Sequence, residues 1–139
     1  MAKRGGYRGY IGSRRYFGER TAQHVQNLVV RNHAGQNRLP LKLALVEYAM
    51  DGCFMMFEQL KDELPTLDGV IFFSMFLLPP DRRRRDRFWT VLQDNEASFH
   101  AALEGLAVRT PADIARIEDI WLVRHHMTGA SPTPVRVGS

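Results

Sequence analysis

The chain has 139 residues, of which 45% are hydrophobic and 24% charged, and its formal net charge at neutral pH is +4. These values are ordinary for a single globular domain, and they exclude a fibrous repeat and a mostly disordered chain. With one cysteine, no apolar run near the roughly 20 residues that a bilayer requires and no secretory leader, the sequence predicts a cytoplasmic protein without an internal disulfide.

Much of the positive charge is concentrated in one segment, Arg82 to Arg85 together with Arg87. An arginine cluster of this kind can recruit nucleic acid or a polyanionic substrate, and it is also typical of the solvated side of a helix. The neighbouring aromatic residues, Phe88 and Trp89, are expected in the core, so no stacking platform for bases accompanies the arginines. The sequence therefore favours a helix whose arginines face water.

The first half of the chain alternates between strand-like and helix-like patterns. Alternating apolar residues indicate strands, and apolar residues three and four positions apart indicate helices. The predicted elements are a strand at 7–11, a turn at 12–14, a helix capped at Thr21 and stopped at Gly35, a strand at 39–46 that ends at Glu47, and a helix at 53–64 closed by Pro65.

The second half continues the alternation. The predicted elements are a central strand at 70–73, a helix begun by Pro79 and Pro80, a fourth strand at 97–103, and a closing helix with Thr110, Pro111 and Asp113 in capping positions. Residues 1–126 form the predicted domain. Residues 127–139 are rich in glycine, serine and proline, and they are expected to form a disordered tail.

Four strands that are each followed by a helix, with connections too long for hairpins, predict right-handed crossovers. The predicted fold is a three-layer α/β domain in which a four-stranded, mainly parallel sheet is flanked by helices.

In an open parallel sheet, ligands bind outside the carboxyl ends of the strands, where loops diverge and helix N-termini point into the crevice. The residues at these positions supply arginines for an anion, carboxylates for proton transfer and amides for hydroxyl groups. The candidates are Ser13, Arg14 and Arg15 after the first strand, Tyr10 within it, Glu47 and Tyr48 after the second, Ser74 after the third, Glu104 after the fourth, and Gln23, His24 and Asn27 in the first helix.

Each candidate also has a structural interpretation. Ser13 can simply begin a turn, Glu47 and Glu104 can be solvated strand ends, Arg14 can pair with a surface carboxylate, and His24 can be a surface histidine. The sequence has no phosphate loop of the Walker type, no dinucleotide glycine fingerprint and no cysteine pairs for zinc, so no metal or organic cofactor is expected.

Several stretches resemble the bacterial family of sporadic carbohydrate cluster proteins, encoded among genes for surface polysaccharide or unusual sugars. The resemblance extends to about His126, and it rests on the segments GYRGYIGSR, QHVQNLVVRN, EYAM, DELPTLDGVIFFSMFLLP and IEDIWLVR. It implies a role in making or modifying a sugar or a sugar-containing metabolite.

The chain also resembles the catalytic domain of serine recombinases, in which a first strand ends in a serine-bearing turn before a glutamine-containing helix. Ser13 and Gln26 match that pattern. Ile11 stands where the recombinase pattern has an arginine, and residues 74–78 lack the arginines that would stabilise a phosphoryl transition state. The resemblance implies a resolvase-like architecture without the same chemistry.

The leading hypothesis is a small enzyme acting on a phosphorylated or nucleotide-linked sugar by isomerisation, epimerisation or anomeric-bond chemistry. Arg14 and Arg15 would hold the anion, while Glu47 and Glu104 would serve as acid and base. The alternatives are a non-catalytic partner of a biosynthetic enzyme, docking through residues 54–56, and a DNA-binding relative of recombinases. Self-association is expected, and contact with a membrane is not.

Overall fold

The computed structural model describes residues 5–12, 21–47 and 54–128, with side-chain detail as far as Arg124. Ser13, Arg14, Arg15 and Tyr48 lie outside these residues, as does the predicted tail of 127–139 except for its first two residues, which belong to the last helix. The elements, in chain order, are β1 (Tyr7–Gly12), α1 (Gln23–Gln36), β2 (Leu41–Glu47), α2 (Met55–Glu63), β3 (Gly69–Phe72), α3 (Arg82–Asp94), β4 (Ser98–Ala101), β5 (Leu106–Val108) and α4 (Pro111–Thr128), with short 3-10 turns at Leu64–Thr66 and Met75–Leu77.

The strands form one sheet in the order β2-β1-β3-β4-β5. β1 pairs in parallel with β2 and β3, and β3 pairs in parallel with β4. The predicted three-layer α/β fold with a mainly parallel sheet is confirmed. The carboxyl ends of four strands therefore share one edge, which we call the carboxyl edge, and their starts share the opposite amino edge.

The predicted strand count was too low by one. β5 pairs antiparallel with β4, and the two are joined by a tight turn in which the Gly105 amide donates to the Ala101 carbonyl at 2.9 Å. Gly105 has a φ of 69°, a left-handed conformation that favours glycine. The three residues of β5 are too few to show a strand period in the sequence, so the prediction missed this hairpin.

Successive residues of each strand face opposite sides of the sheet. On one side, aromatic rings from β1, β3 and β4 pack with rings from α2 and α3: the ring centroids of Tyr10 and Phe72 lie 4.5 Å apart, those of Phe57 and Phe88 4.9 Å, and those of Phe72 and Phe99 4.8 Å. All five side chains are fully buried. This aromatic layer is the core that holds α2 and α3 on the sheet.

The helix boundaries agree with the capping predictions at one end of the chain and differ at the other. Thr110 and Asp113 form the predicted cap of α4, because the Asp113 amide donates to the Thr110 hydroxyl and the Asp113 carboxylate accepts from the Thr110 amide. The predicted cap at Thr21 was wrong, since α1 begins after Ala22 without a side-chain cap.

Within the described part of the chain, no helix is long and apolar enough to cross a bilayer.

Arg85 corrects the prediction that the arginines of α3 face water. Its side chain is 5% exposed, and its guanidinium donates to the Glu118 carboxylate on α4 at 2.8 and 2.9 Å and to the carbonyl oxygens of Pro79 and Pro80. The Trp89 indole donates to the same carboxylate at 2.9 Å. Arg85 shares the inner stripe of α3 with Phe88, Trp89 and Leu92 because these positions are three or four residues apart.

The burial of this ion pair also affects Glu118. Burial alone would raise the pKa of Glu118, but the hydrogen bonds from Arg85 and Trp89 and the charges of Arg85 and Arg82 lower it below its ordinary value of 4.5. A carboxylate with a lowered pKa in the folded state stabilises the fold fully above its unfolded pKa, and that contribution is lost as the pH falls through the folded value.

We expect Glu118→Ala to reduce the free energy of unfolding by about 3–5 kcal/mol, because it leaves the Arg85 charge buried and unpaired. The matched control is Asp119→Ala, which removes the same charge from the next, exposed position and should change stability by less than about 0.5 kcal/mol. Guanidinium unfolding of the two variants measures the difference. Equal losses would contradict a structural role for the pair.

Candidate functional site

The carboxyl edge brings together most of the described residues that the sequence selected. Gly12 ends β1 and is paired with Glu47 at the end of β2. Ser74 follows β3, and Glu104 follows β4, the next strand in the sheet. α1 begins at Gln23, after the segment that follows β1, so the residues of its first turns belong to the same edge.

Gln26 holds the end of β1 in place. Its side-chain oxygen accepts a hydrogen bond from the Gly12 amide at 3.1 Å, and its amide nitrogen donates to the Gly12 carbonyl at 2.6 Å. The same nitrogen donates to the Thr21 carbonyl at 2.7 Å. Gln26 is 1% exposed, so these are bonds in a low-dielectric interior, where leaving any of the three backbone groups unpaired is costly. One side chain therefore ties both residues that flank the segment 13–20.

The sequence analysis quoted Gln26 only for a resemblance, and it did not include this residue in the site. The signal that could have found it is its position in the α1 pattern, four residues before the buried Val30 and eight before the buried Ala34. A glutamine on the buried stripe of a helix needs hydrogen-bond partners inside the protein, and unpaired strand ends supply them.

Glu47 is fully buried, which excludes the interpretation of a solvated strand end. Its carboxylate accepts hydrogen bonds from the Tyr10 hydroxyl at 2.6 Å and from the backbone amides of Met56 and Phe57 at 3.1 and 3.0 Å. These amides belong to the first turn of α2, where backbone donors lack helical partners and a negative charge is favoured. Glu47 thus fixes the start of α2 against the end of β2.

Glu104 has a similar role after β3. Its carboxylate accepts from the buried Ser74 hydroxyl at 2.6 Å and from the Met75 amide at 2.9 Å. The Ser74 hydroxyl in turn accepts from the Phe76 amide at 3.1 Å. The pair therefore caps the 3-10 turn at Met75–Leu77, and Glu104 itself is half-buried.

The two carboxylates lie on the same edge, but they have separate sets of hydrogen-bond donors. β1 and β3 stand between β2 and β4, so the axes of these strands are about 14 Å apart at the usual strand spacing. Carboxyl groups that cooperate on one glycosidic bond lie about 5–10 Å apart. The geometry favours separate structural roles over a shared proton-transfer pair.

The remaining predicted residues differ in accessibility. Gln23 and His24 are exposed and Asn27 is half-buried, all in the first turns of α1, whereas Tyr10 is fully buried beneath Glu47. His24 is therefore an accessible titratable group at this edge. Among the described residues, no cluster of three or more histidine, cysteine or acidic side chains could hold a metal ion.

A solved structure with a similar fold is the N-terminal catalytic domain of the TP901-1 integrase, with a TM-score of 0.59 and 12% sequence identity over 86% of this chain and 95% of that one. At this identity the likeness is one of fold alone. It supports the resolvase-like architecture expected from the sequence. No known family pattern and no curated protein matches the chain, so the expected link to sugar metabolism has no support from these comparisons.

We expect Gln26→Leu to lower the free energy of unfolding by about 2–4 kcal/mol, because it leaves three buried backbone groups without their partner. The control is Gln36→Leu at the exposed end of the same helix, which should have little effect. Chemical denaturation gives both values. If the two variants lose the same stability, Gln26 does not hold the end of β1.

Proposed function

We propose that this domain is a small enzyme that binds a phosphorylated or nucleotide-linked sugar at the carboxyl edge, with the segment 13–20 as its anion site. The observation that carries the proposal is the buried Gln26 amide, which bonds to Gly12 on one side of this segment and to Thr21 on the other. Gly12 and Thr21, which flank the segment, are thus held by one buried side chain, and a strand end and a helix start that are fixed before a ligand arrives reduce the entropic cost of binding.

The composition of the segment supports an anionic ligand. Its eight residues, SRRYFGER, include Arg14, Arg15 and Arg20 against the single acid Glu19, which gives a net charge of +2. Guanidinium groups bind phosphate oxygens in a bidentate manner. The segment also leads directly into α1, whose N-terminus has no side-chain cap in Ala22 and adds a favourable field for an anion.

The proposal assigns different roles to the predicted residues. Arg14 and Arg15 hold the anion, Ser13 contributes its hydroxyl to the same site, and Gln23, Asn27 and Tyr48 bind hydroxyl groups. His24 is the proton carrier, because it is exposed at the edge where the ligand binds. Glu47, Glu104, Ser74 and Tyr10 position α2 and the 3-10 turn at the carboxyl edge.

The His24 imidazole provides a local signal for the test. We expect UDP-glucose to shift the His24 NMR resonances of the wild-type protein and Arg14→Ala to weaken this binding about tenfold or more, because a hydrogen bond to a charged group contributes about 1.5–3 kcal/mol. Arg31→Ala, in the exposed middle of α1, is the matched control. His24→Asn should retain binding, observed through the other α1 resonances, and lose turnover of the bound sugar. The proposal is overturned if UDP-glucose does not bind, or if the Arg14 and Arg31 variants bind it equally.

The hypothesis of a scaffold protein that docks through residues 54–56 is less well supported. Met55 is 66% exposed. The Arg84 guanidinium, however, covers the Phe54 ring, with its central carbon 5.3 Å from the ring centroid, and Met56 packs against the core. One exposed methionine at this position gives a partner little apolar surface to bury.

A second candidate function is DNA binding, which the fold likeness to an integrase catalytic domain favours. The arginine cluster of α3 is, however, largely neutralised: Arg85 pairs with Glu118, Arg84 with Glu58, and Arg82 with Asp86. Arg83 and Arg87 are exposed and make no ion pair with any residue in the described ranges. Two free charges are few for a sequence-independent grip on a duplex.

We therefore expect no salt-sensitive DNA binding by the wild-type protein. Fluorescence anisotropy of a labelled duplex, titrated at about 50 and 200 mM salt, measures it, since each neutralised phosphate adds about 0.9 to the salt slope. The double variant Arg83→Gln, Arg87→Gln serves as the control. A steep salt dependence that this variant abolishes would favour the DNA-binding function over the sugar enzyme.

A further inference from the structure

A polar cleft lies at the amino edge of the sheet, on the opposite side of the domain from the proposed sugar site. Its volume is about 500 Å³. It is formed where β1, β3 and β4 begin and where β5, running the other way, ends. The side chains that line it include Tyr7, Asp68, Gln93, Glu96, Ser98 and Arg109.

The floor of the cleft depends on a close approach that only glycine permits. A Cβ atom on Gly69 would lie 2.2 Å from the Ser98 carbonyl oxygen, 2.8 Å from the Tyr7 ring and 2.9 Å from the Ser98 hydroxyl. Because the first of these atoms is backbone, it cannot move aside cheaply. Gly69 therefore lets Tyr7 and Ser98, from the two neighbouring strands, meet over β3.

Two histidines stand behind this floor. Ser98 and His100 point to the same side of β4, and the Ser98 hydroxyl lies 3.0 Å from His100 Nε2, with both residues buried. The His100 ring packs against Tyr7 and against His33 of α1, with centroids 5.6 and 5.7 Å away. The His33 Nε2 atom is buried and has no hydrogen-bond partner within the described residues.

The surroundings of His100 keep its imidazole uncharged at neutral pH. Burial, together with the nearby charges of Arg109 and His33, lowers the pKa of His100 to about 4. At neutral pH its Nε2 can therefore accept a hydrogen bond from the Ser98 hydroxyl. The Ser98 oxygen can then accept a hydrogen bond from a ligand in the cleft. The imidazole thus adds no positive charge of its own to the cleft.

The charges in the cleft are of both signs. The Arg109 guanidinium is exposed and makes no ion pair or hydrogen bond with any residue that the structure describes. Asp68 and Glu96 line the same space. A simple anion such as phosphate would gain from Arg109 but would be repelled by two carboxylates, and a neutral polyol would leave the guanidinium without a directly bound anion. A ligand with one anionic group and several hydroxyl donors satisfies both kinds of group.

We propose that the amino-edge cleft binds a small polyhydroxylated anion, whose anionic group pairs with Arg109 while its hydroxyl groups donate to Asp68, Glu96 and Ser98. This site is independent of the proposed function, because it uses other residues at the opposite edge of the sheet. The anionic group is a phosphate or a carboxylate, and both chemistries suit a guanidinium.

The test follows the His100 imidazole resonances by NMR during titration with glucose 6-phosphate, glucuronate, glucose and inorganic phosphate. We expect one or both of the first two to shift the resonances of His100 and of the Tyr7 ring, and the tighter of them identifies the anionic group. Glucose and phosphate should bind at least tenfold more weakly. Arg109→Gln should weaken binding at least tenfold, whereas Arg116→Gln, which alters an exposed arginine of α4 outside the cleft, should not.

The proposal is overturned if neither polyhydroxylated anion shifts His100, if inorganic phosphate binds as tightly as they do, or if Arg109→Gln binds like the wild type. Arg14→Ala separates this site from the proposed sugar site, since it should leave the His100 shifts unchanged and affect those of His24. If UDP-glucose fails to shift His24 while a polyhydroxylated anion still shifts His100, the proposed function is refuted and the amino-edge site remains.

Discussion

The structure depends on how backbone polar groups are satisfied where a parallel sheet ends. At the carboxyl edge the strands lose their ladder partners, and the helices that follow begin with unpaired amides. Gln26 supplies partners for Gly12 and Thr21, Glu47 for the first turn of α2, and Glu104 for the turn after β3. Gln26 and Glu47 each join a strand end to the helix that follows it, and Glu104 joins the turns after two neighbouring strands.

This arrangement changes the meaning of the acidic residues. Two carboxylates at equivalent strand ends suggest acid and base chemistry, but a carboxylate that accepts hydrogen bonds from helix amides uses its oxygens within the fold and has few lone pairs left for a substrate. Glu47, buried under three donors, illustrates the point. In the proposed function, the segment after β1 and the exposed first turn of α1 take over the chemistry at this edge.

The fold also decides which arginine side chains remain available to a ligand. The arginines of α3 look like a ligand-binding cluster along the sequence, but Arg85 is buried in an ion pair with Glu118 and stacks on Trp121, 4.5 Å from its ring. Arg85 connects α3 to α4, and its buried guanidinium is not accessible to a ligand. Arg109, a single arginine in a short loop, lines a cleft, and its guanidinium makes no ion pair with any of the described residues. Local charge density is therefore a poor guide to available charge, because a folded partner can neutralise it.

Much of the fold was determined by the sequence alone. The periods of the apolar residues and the cap at Thr110 gave four parallel strands, four helices and the edge where a site would lie, since these signals are local. The β5 hairpin, the burial of Arg85, the hydrogen bonds of Glu47 and Glu104 and the cleft over Gly69 were decided only by tertiary structure. Apart from the hairpin, they include contacts between residues far apart in the chain, such as Arg85 with Glu118, Ser74 with Glu104 and Gly69 with Tyr7. No spacing rule specifies which polar groups the folded chain will bring within hydrogen-bond distance.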